Sequence, residues 1–164
     1  YDGEYPFIQI GDINPNGGLI NNHRQSLNQK GLQISKLFPK GTIVIAIVGA
    51  TIGGTGILGY DMCFPDSLVG IKPSIDFDSQ YLEIYLRTRK KQFQEISYAG
   101  GGQPNIKLPT LNESLFSLPP LFEQKAIVEK VNGLMALCDQ LEQEIETHHT
   151  TQEQWMQSCL REGV

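Results

Sequence analysis

The sequence predicts an α+β fold: a globular domain with a mixed β-sheet core and short helices, followed by one long C-terminal coiled-coil helix. Three observations carry this. All nine prolines and 15 of the 17 glycines fall at or before Pro120, so turn chemistry is confined to the first three quarters of the chain. Thr42 to Val48 (TIVIAIV) is an uninterrupted run rich in β-branched residues, as a strand buried on both faces requires. From Ile127 onward, apolar residues recur by alternating steps of four and three.

Along the chain, Tyr5 to Ile10 alternates weakly and predicts a short strand. Asp12 to Asn22 (DINPNGGLINN) predicts a turn-rich loop. Asn28 to Lys36 predicts a short helix, and Pro39-Lys40-Gly41 a turn leading into a central strand over Thr42–Val48. Ile57–Tyr60 and Ser67–Lys72 are shorter strand candidates. Ser79 to Ser97 reads as one helix with Tyr81, Leu82, Tyr85, Leu86, Phe93 and Ile96 on a broad apolar face, ended by Gly100-Gly101-Gly102.

Leu118-Pro119-Pro120 cannot continue a helix or strand and marks the boundary between residues 1–119 and 120–164. Beyond it, Ile127, Val131, Leu134, Cys138, Leu141 and Ile145 form a coiled-coil seam, which turns polar at His148 and Gln152 and recovers at Trp155 and Cys159. One helix over 124–161 would run about 57 Å and cannot bury such a stripe alone. It calls for a second helix, from another part of a longer chain or from another chain. The alternative is an ordinary helix packed on its own domain.

At 164 residues and 18.3 kDa the chain holds one ordinary domain and an appendage. With 40% hydrophobic and 19% charged residues, it is expected to fold. No apolar run approaches the roughly 20 residues of a membrane span. Without an initiator Met or a leader, it reads as a fragment, and three scattered cysteines argue for the cytoplasm over a disulfide framework or zinc site.

The net charge of −5 conceals an asymmetry: residues 1–120 carry 10 Lys+Arg and 10 Asp+Glu, and residues 121–164 carry 3 and 8. The acidic tail is therefore not the part expected to touch phosphates.

Several motifs fail on context. Gly54-Thr55-Gly56-Ile57-Leu58-Gly59 matches G-x-G-x-x-G, but it runs on into Tyr60-Asp61-Met62-Cys63-Phe64-Pro65, which is not helical, and Gly49–Thr55 lacks a Walker lysine. Ser117-Leu118-Pro119-Pro120-Leu121 shares only its proline pair with amino-methyltransferase signatures. His23, His148 and His149 support no catalytic constellation, so no catalytic centre, cofactor or metal is expected. The residues left over are a polar set in loops: Asn14, Asn16, Asn21, Asn22, His23, Arg24 and Gln25, then Lys30, Lys36 and Lys40, a basic run at Arg87, Arg89, Lys90 and Lys91, and Gln103, Asn105 and Lys107. Such side chains suit base edges and phosphates, and equally suit solvated loops.

Wording and order add a resemblance. Tyr5-Pro6-Phe7-Ile8-Gln9-Ile10-Gly11-Asp12-Ile13 resembles the opening of a target-recognition domain of type I restriction-modification specificity subunits. Pro39–Val44 leading into Gly49-Ala50-Thr51-Ile52-Gly53 is similar to that family's strand and G-x-T-I-G turn, and Gly101-Gly102-Gln103-Pro104-Asn105-Ile106 to its G-x-x-Q-x-N-I segment. Leu118-Pro119-Pro120-Leu121-Phe122-Glu123-Gln124-Lys125-Ala126-Ile127-Val128 resembles the L-P-P-L-x-E-Q-x-x-I-V entry into its conserved helix.

The resemblance implies a non-catalytic, cytoplasmic reader of double-stranded DNA that recognises half of a split target. A second recognition half would join in cis, or a homodimer would form in trans. The helices would serve as a ruler and dock methyltransferase subunits, with endonuclease subunits joining indirectly. Asn21, Asn22, Arg24, Gln103 and Asn105 are the candidates for base edges, and Lys30, Lys36, Lys40 and Lys107 for phosphates. Gly54 stands where the family often has Lys, which weakens the case for a phosphate contact there. Two other classes remain: a helical assembly or dimerisation module without sequence readout, and a small-molecule enzyme using the glycine loop.

Overall fold

The computed structural model describes residues 2–98 and 104–162, except the side chains of 158–162. It divides into two compact units, Tyr1–Lys125 and Ala126–Val164.

The first unit is built on two four-stranded mixed sheets. One contains β1 (Tyr5–Phe7), β3 (Gln25–Leu27), β4 (Leu37–Phe38) and β7 (Met62–Cys63) in the order β3-β1-β7-β4. The other contains β2 (Leu19–Ile20), β5 (Ile43–Ala46), β6 (Thr55–Leu58) and β8 (Leu68–Ile71) in the order β2-β6-β5-β8. Strand β5 is central in the second sheet, antiparallel to both neighbours, with Ile43 opposite Ile57 and Ile71. Its side chains alternate between two covered faces, which explains why all four residues are buried. Val44 and Ala46 pack with Ile8, Met62 and Phe64 between the sheets, while Ile43 and Ile45 pack with Leu82, Leu86 and Phe93 of the helices. The unit is therefore layered sheet, sheet, helix.

The predicted loop over 12–22 contains β2, two residues lying parallel to β6 with Leu19 opposite Ile57. The first strand stops at Phe7, and Ile10-Gly11-Asp12 forms a 3-10 turn. The strand candidate at Ile57–Tyr60 lies earlier, as β6. The short helix is α1 (Gln29–Ile34), capped by the Asn28 side chain accepting the Gly31 N–H at 3.0 Å.

The single helix expected over Ser79–Ser97 is two, α2 (Ser79–Thr88) and α3 (Lys90–Tyr98), parted at Arg89, whose N–H bonds back to the Leu86 carbonyl at 3.0 Å. That tightened turn changes the phase of the apolar face. Phe93 and Ser97 are buried, and Ile96 is 44% exposed. The corner also receives Gly53, where an added Cβ would stand 3.0 Å from the Lys90 Cα. The glycine run at 100–102 lies outside the described residues.

Helix α4 (Leu108–Asn112) precedes the proline pair, and the long helix is α5 (Leu121–Glu162). Its start is fixed within the first unit by Gln124, which is fully buried. The Gln124 Oε1 accepts the Asp78 N–H at 2.8 Å, and its Nε2 donates to the carbonyls of Asp76 at 2.9 Å and Pro119 at 2.8 Å. Asp78 in turn caps α2 by accepting the N–H groups of Gln80 and Tyr81. The Gln of the L-P-P-L-x-E-Q segment thus serves as a structural knot.

The second unit is the remainder of α5, which has 42 residues in all and runs about 63 Å. Along its seam Leu134, Leu141, Ile145 and Trp155 are exposed, as is Cys138, while Ile127 and Val131 are half-buried. Its polar side satisfies itself locally: the Thr147, Thr150 and Thr151 hydroxyls donate to carbonyls four residues back. No helix among the described residues is long and apolar enough to cross a membrane.

Candidate nucleic-acid interface

Strand directions sort the polar residues. Strands β2 and β6 both run toward the end of the second sheet from which β5 starts, so their trailing residues meet the turn that precedes β5. There the Gly59 N–H donates to the Ile20 carbonyl at 3.0 Å, and the Lys40 N–H donates to Asp61 Oδ1 at 2.9 Å. Exposed Asn21, Asn22 and Lys40 therefore share one rim. Gly59 makes this possible, because a Cβ there would lie 2.8 Å from the Ile20 carbonyl oxygen and collide with the Asn21 amide. His23 pins the loop down: its Nδ1 lies 2.5 Å from the Tyr60 hydroxyl, with the rings edge to face.

Arg24 closes the segment. Its Nε pairs with Asp12 Oδ1 at 3.0 Å and its Nη2 reaches the Gly11 carbonyl at 3.5 Å, yet the Arg24 side chain is 79% exposed and that of Asp12 only 7%.

Two lysines meet on an aromatic platform. The Lys36 Nζ lies 5.4 Å and the Lys72 Nζ 5.8 Å from the centre of the Phe38 ring, which stacks on Phe64 at 4.2 Å. Gly70 leaves room for the stack, since a Cβ there would come within 2.8 Å of both rings. Nothing in the local sequence singles out Lys72, and only its place after β8 brings it to Phe38. Lys30, on α1, and Lys36 both border an apolar groove of about 880 Å³ floored by Phe7, Leu27, Phe38 and Phe64.

Asn105 and Lys107 do not join this rim. Asn105 bridges to Val48, and the Ile106 N–H donates to the Ile47 carbonyl at 2.8 Å, at the opposite end of β5. Some 20 Å of extended chain separates Thr42 from Val48. Lys107 stands at the N-cap of α4. Gln103 lies outside the described residues.

The basic run is also dispersed: Arg87 donates to the Asn16 carbonyl, Lys90 packs on Gly53, and the Arg89 Nε is buried without a partner among the described residues. The G-x-G-x-x-G segment is strand β6, with the Thr55 hydroxyl donating to buried Glu83 Oε1 at 2.6 Å. Burial pushes the Cys63 thiol up, opposed in smaller part by a Ser35 hydrogen bond, so it stays protonated near neutral pH. Among the described residues, no group of three or more His, Cys, Asp or Glu is placed to hold a metal.

The family model for the type I restriction modification DNA specificity domain matches residues 1–148. The chain belongs to that family. The specificity domain is also similar to two solved chains. One comes from work described as the structural basis underlying complex assembly and conformational transition of the type I R-M system (TM-score 0.67, 20% identity, 85% of this chain and 33% of that one). The other is the HsdS subunit from Thermoanaerobacter tengcongensis (TM-score 0.65, 23% identity, 87% of this chain and 32% of that one). These likenesses show the mixed-sheet fold with its long helix, and the specificity domain spans about a third of each solved chain. No curated protein matches it.

The motifs behind the resemblance have physical roles in this specificity domain. Gly49 and Gly53 adopt φ of +71° and +78° in the G-x-T-I-G turn, a region open to glycine and strained for other residues. Pro104-Asn105-Ile106 docks along Ile47-Val48-Gly49, where the chain passes from β5 into that turn.

Proposed function

We propose that this specificity domain reads one half of a bipartite duplex target, with residues 1–119 making the DNA contacts and residues 120–164 pairing with a second helix. The observation that carries this is the rim at one end of the second sheet, where exposed Asn21 and Asn22 follow β2 beside the turn that carries Lys40, with exposed Arg24 two residues further on and anchored to Asp12. Lys36 and Lys72 supply further positive charge on the Phe38 platform. Amide and guanidinium groups can pair bidentately with adenine and guanine edges, and the lysines neutralise phosphates, which positions the domain without reading sequence. Asn105 and Lys107, at the far end of β5, form a separate patch, and Gln103 is proposed with them on its sequence position. The chain itself supplies no chemical step in this reading. Methylation and cleavage belong to methyltransferase subunits docked on the helix and to endonuclease subunits joined through them. The second half-site falls to another recognition domain in cis, or to a copy of this chain in trans.

Equilibrium binding to duplexes with randomised sequence tests the readout. Selective retention of one short motif is expected, and equal affinity for every duplex would reject base reading in favour of a pure assembly module. Lys40→Ala is expected to weaken binding uniformly across sequences and to lower the salt dependence by about one counterion.

The exposure of Leu134, Cys138, Leu141, Ile145 and Trp155 supports helix pairing along a seam that begins at half-buried Ile127 and Val131. Leu134→Glu with Leu141→Glu is expected to abolish concentration-dependent association in sedimentation. Unchanged association would remove the seam from the interface.

A further inference from the structure

Resting on the base-reading proposal, we infer that Arg24 is a guanine-reading arginine and that Asp12 is the residue that positions it. Arginine has high rotamer entropy, and a free one reads poorly because binding must first order it. Arg24 is anchored along one edge. The edge formed by Nε and Nη2 faces the protein, on Asp12 Oδ1 and the Gly11 carbonyl. Asp12 is itself held, since its Oδ2 accepts the Gln9 N–H at 2.8 Å and its side chain is nearly buried. The Nη1 group has no partner among the described residues. The outer edge, Nη1 with Nη2, therefore points away from the anchor as two parallel donors, the geometry that matches O6 and N7 of guanine in the major groove. His23, bonded to Tyr60, fixes the backbone next to it. A side chain that served only to staple the loop would use the same Asp12 contact, and its loss would move stability and overall affinity without changing any one base preference.

The test is the sequence preference of the full chain against randomised duplexes, with Arg24→Ala, Arg24→Lys, Asp12→Asn and Asp12→Glu beside the parent. The parent is expected to prefer guanine at one position. Arg24→Ala should erase that preference by about 10- to 100-fold while preferences elsewhere persist. Arg24→Lys keeps the charge but loses the planar fork, so it should retain general affinity and lose the guanine preference. Asp12→Asn still accepts the Gln9 N–H but lacks the charge that orients Arg24, so it should weaken the same position several-fold, with partial rescue in Asp12→Glu. Replacing the guanine with 7-deazaguanine removes N7, and should penalise the parent while leaving Arg24→Ala indifferent. A uniform loss of affinity in Arg24→Ala, or an unchanged preference, would overturn this inference alone. A parent that binds all sequences equally would overturn the base-reading proposal and this inference with it.

Discussion

Phe93→Ala lowers the unfolding free energy of the globular unit by about 3–5 kcal/mol, the range for emptying a buried aromatic site. Phe93 is 2% exposed and sits in the cluster formed by Ile43, Ile45, Ile52, Ile57, Leu82, Leu86 and Ile106. Its neighbours come from two strands of the second sheet, from α2, and from the segments flanking β5 and α4. Ile43, Ile45 and Ile57 cannot collapse into the space without dragging a paired strand, and Leu82 and Leu86 cannot without shifting α2. A urea titration monitored by circular dichroism reads the effect as a lower midpoint with little change in slope. Because the corner at Arg89 delivers Phe93 to this cluster, Ile96→Ala on the exposed side of the same helix should change stability by less than about 0.5 kcal/mol.

Gln124→Ala costs about 2–4 kcal/mol, through polar groups left behind and not through lost apolar area, since each buried group stripped of its partner costs about 1–3 kcal/mol. Its side chain satisfies the Asp78 N–H and the carbonyls of Asp76 and Pro119 in a site closed to solvent. Gln124→Glu should also destabilise, because a carboxylate can still accept the Asp78 N–H but sets its second oxygen against two carbonyls. Thermal unfolding of both variants checks this. A variant as stable as the parent would mean that the knot contributes nothing.

These two residues show which parts of the structure the sequence exposes. The β-branched run over 42–48 and the four-three spacing from Ile127 are local patterns with one physical solution each, and β5 and α5 formed where they stand. Strands β2, β4 and β7 have two residues apiece and exist only because distant partners pair with them. No window of sequence contains that information. The split at Arg89 is equally hidden, since Tyr81 to Ile96 satisfies a helical period whether or not one turn tightens. Gln124 reads as an ordinary polar residue on a helix until its three backbone partners are brought around it.

The candidate interface divides in the same way. Asn21, Asn22 and Arg24 are legible as a polar cluster because they are neighbours in sequence, and the contact of His23 with Tyr60 keeps them together. Lys72 and Asp12 are not legible, because Phe38 and Arg24 reach them only through strand pairing. The chemical resemblance of Asn105 to Asn21 says nothing about place, and β5 holds them apart.

The most direct test of the central claim, that the two-sheet unit selects bases, is a map of methylated sites in cells carrying the intact modification system. Residues 1–119 would be exchanged for the corresponding segment of a specificity domain with a different target. The account predicts that one half of the split motif changes while the other half and the spacer stay the same. An unchanged motif would contradict it.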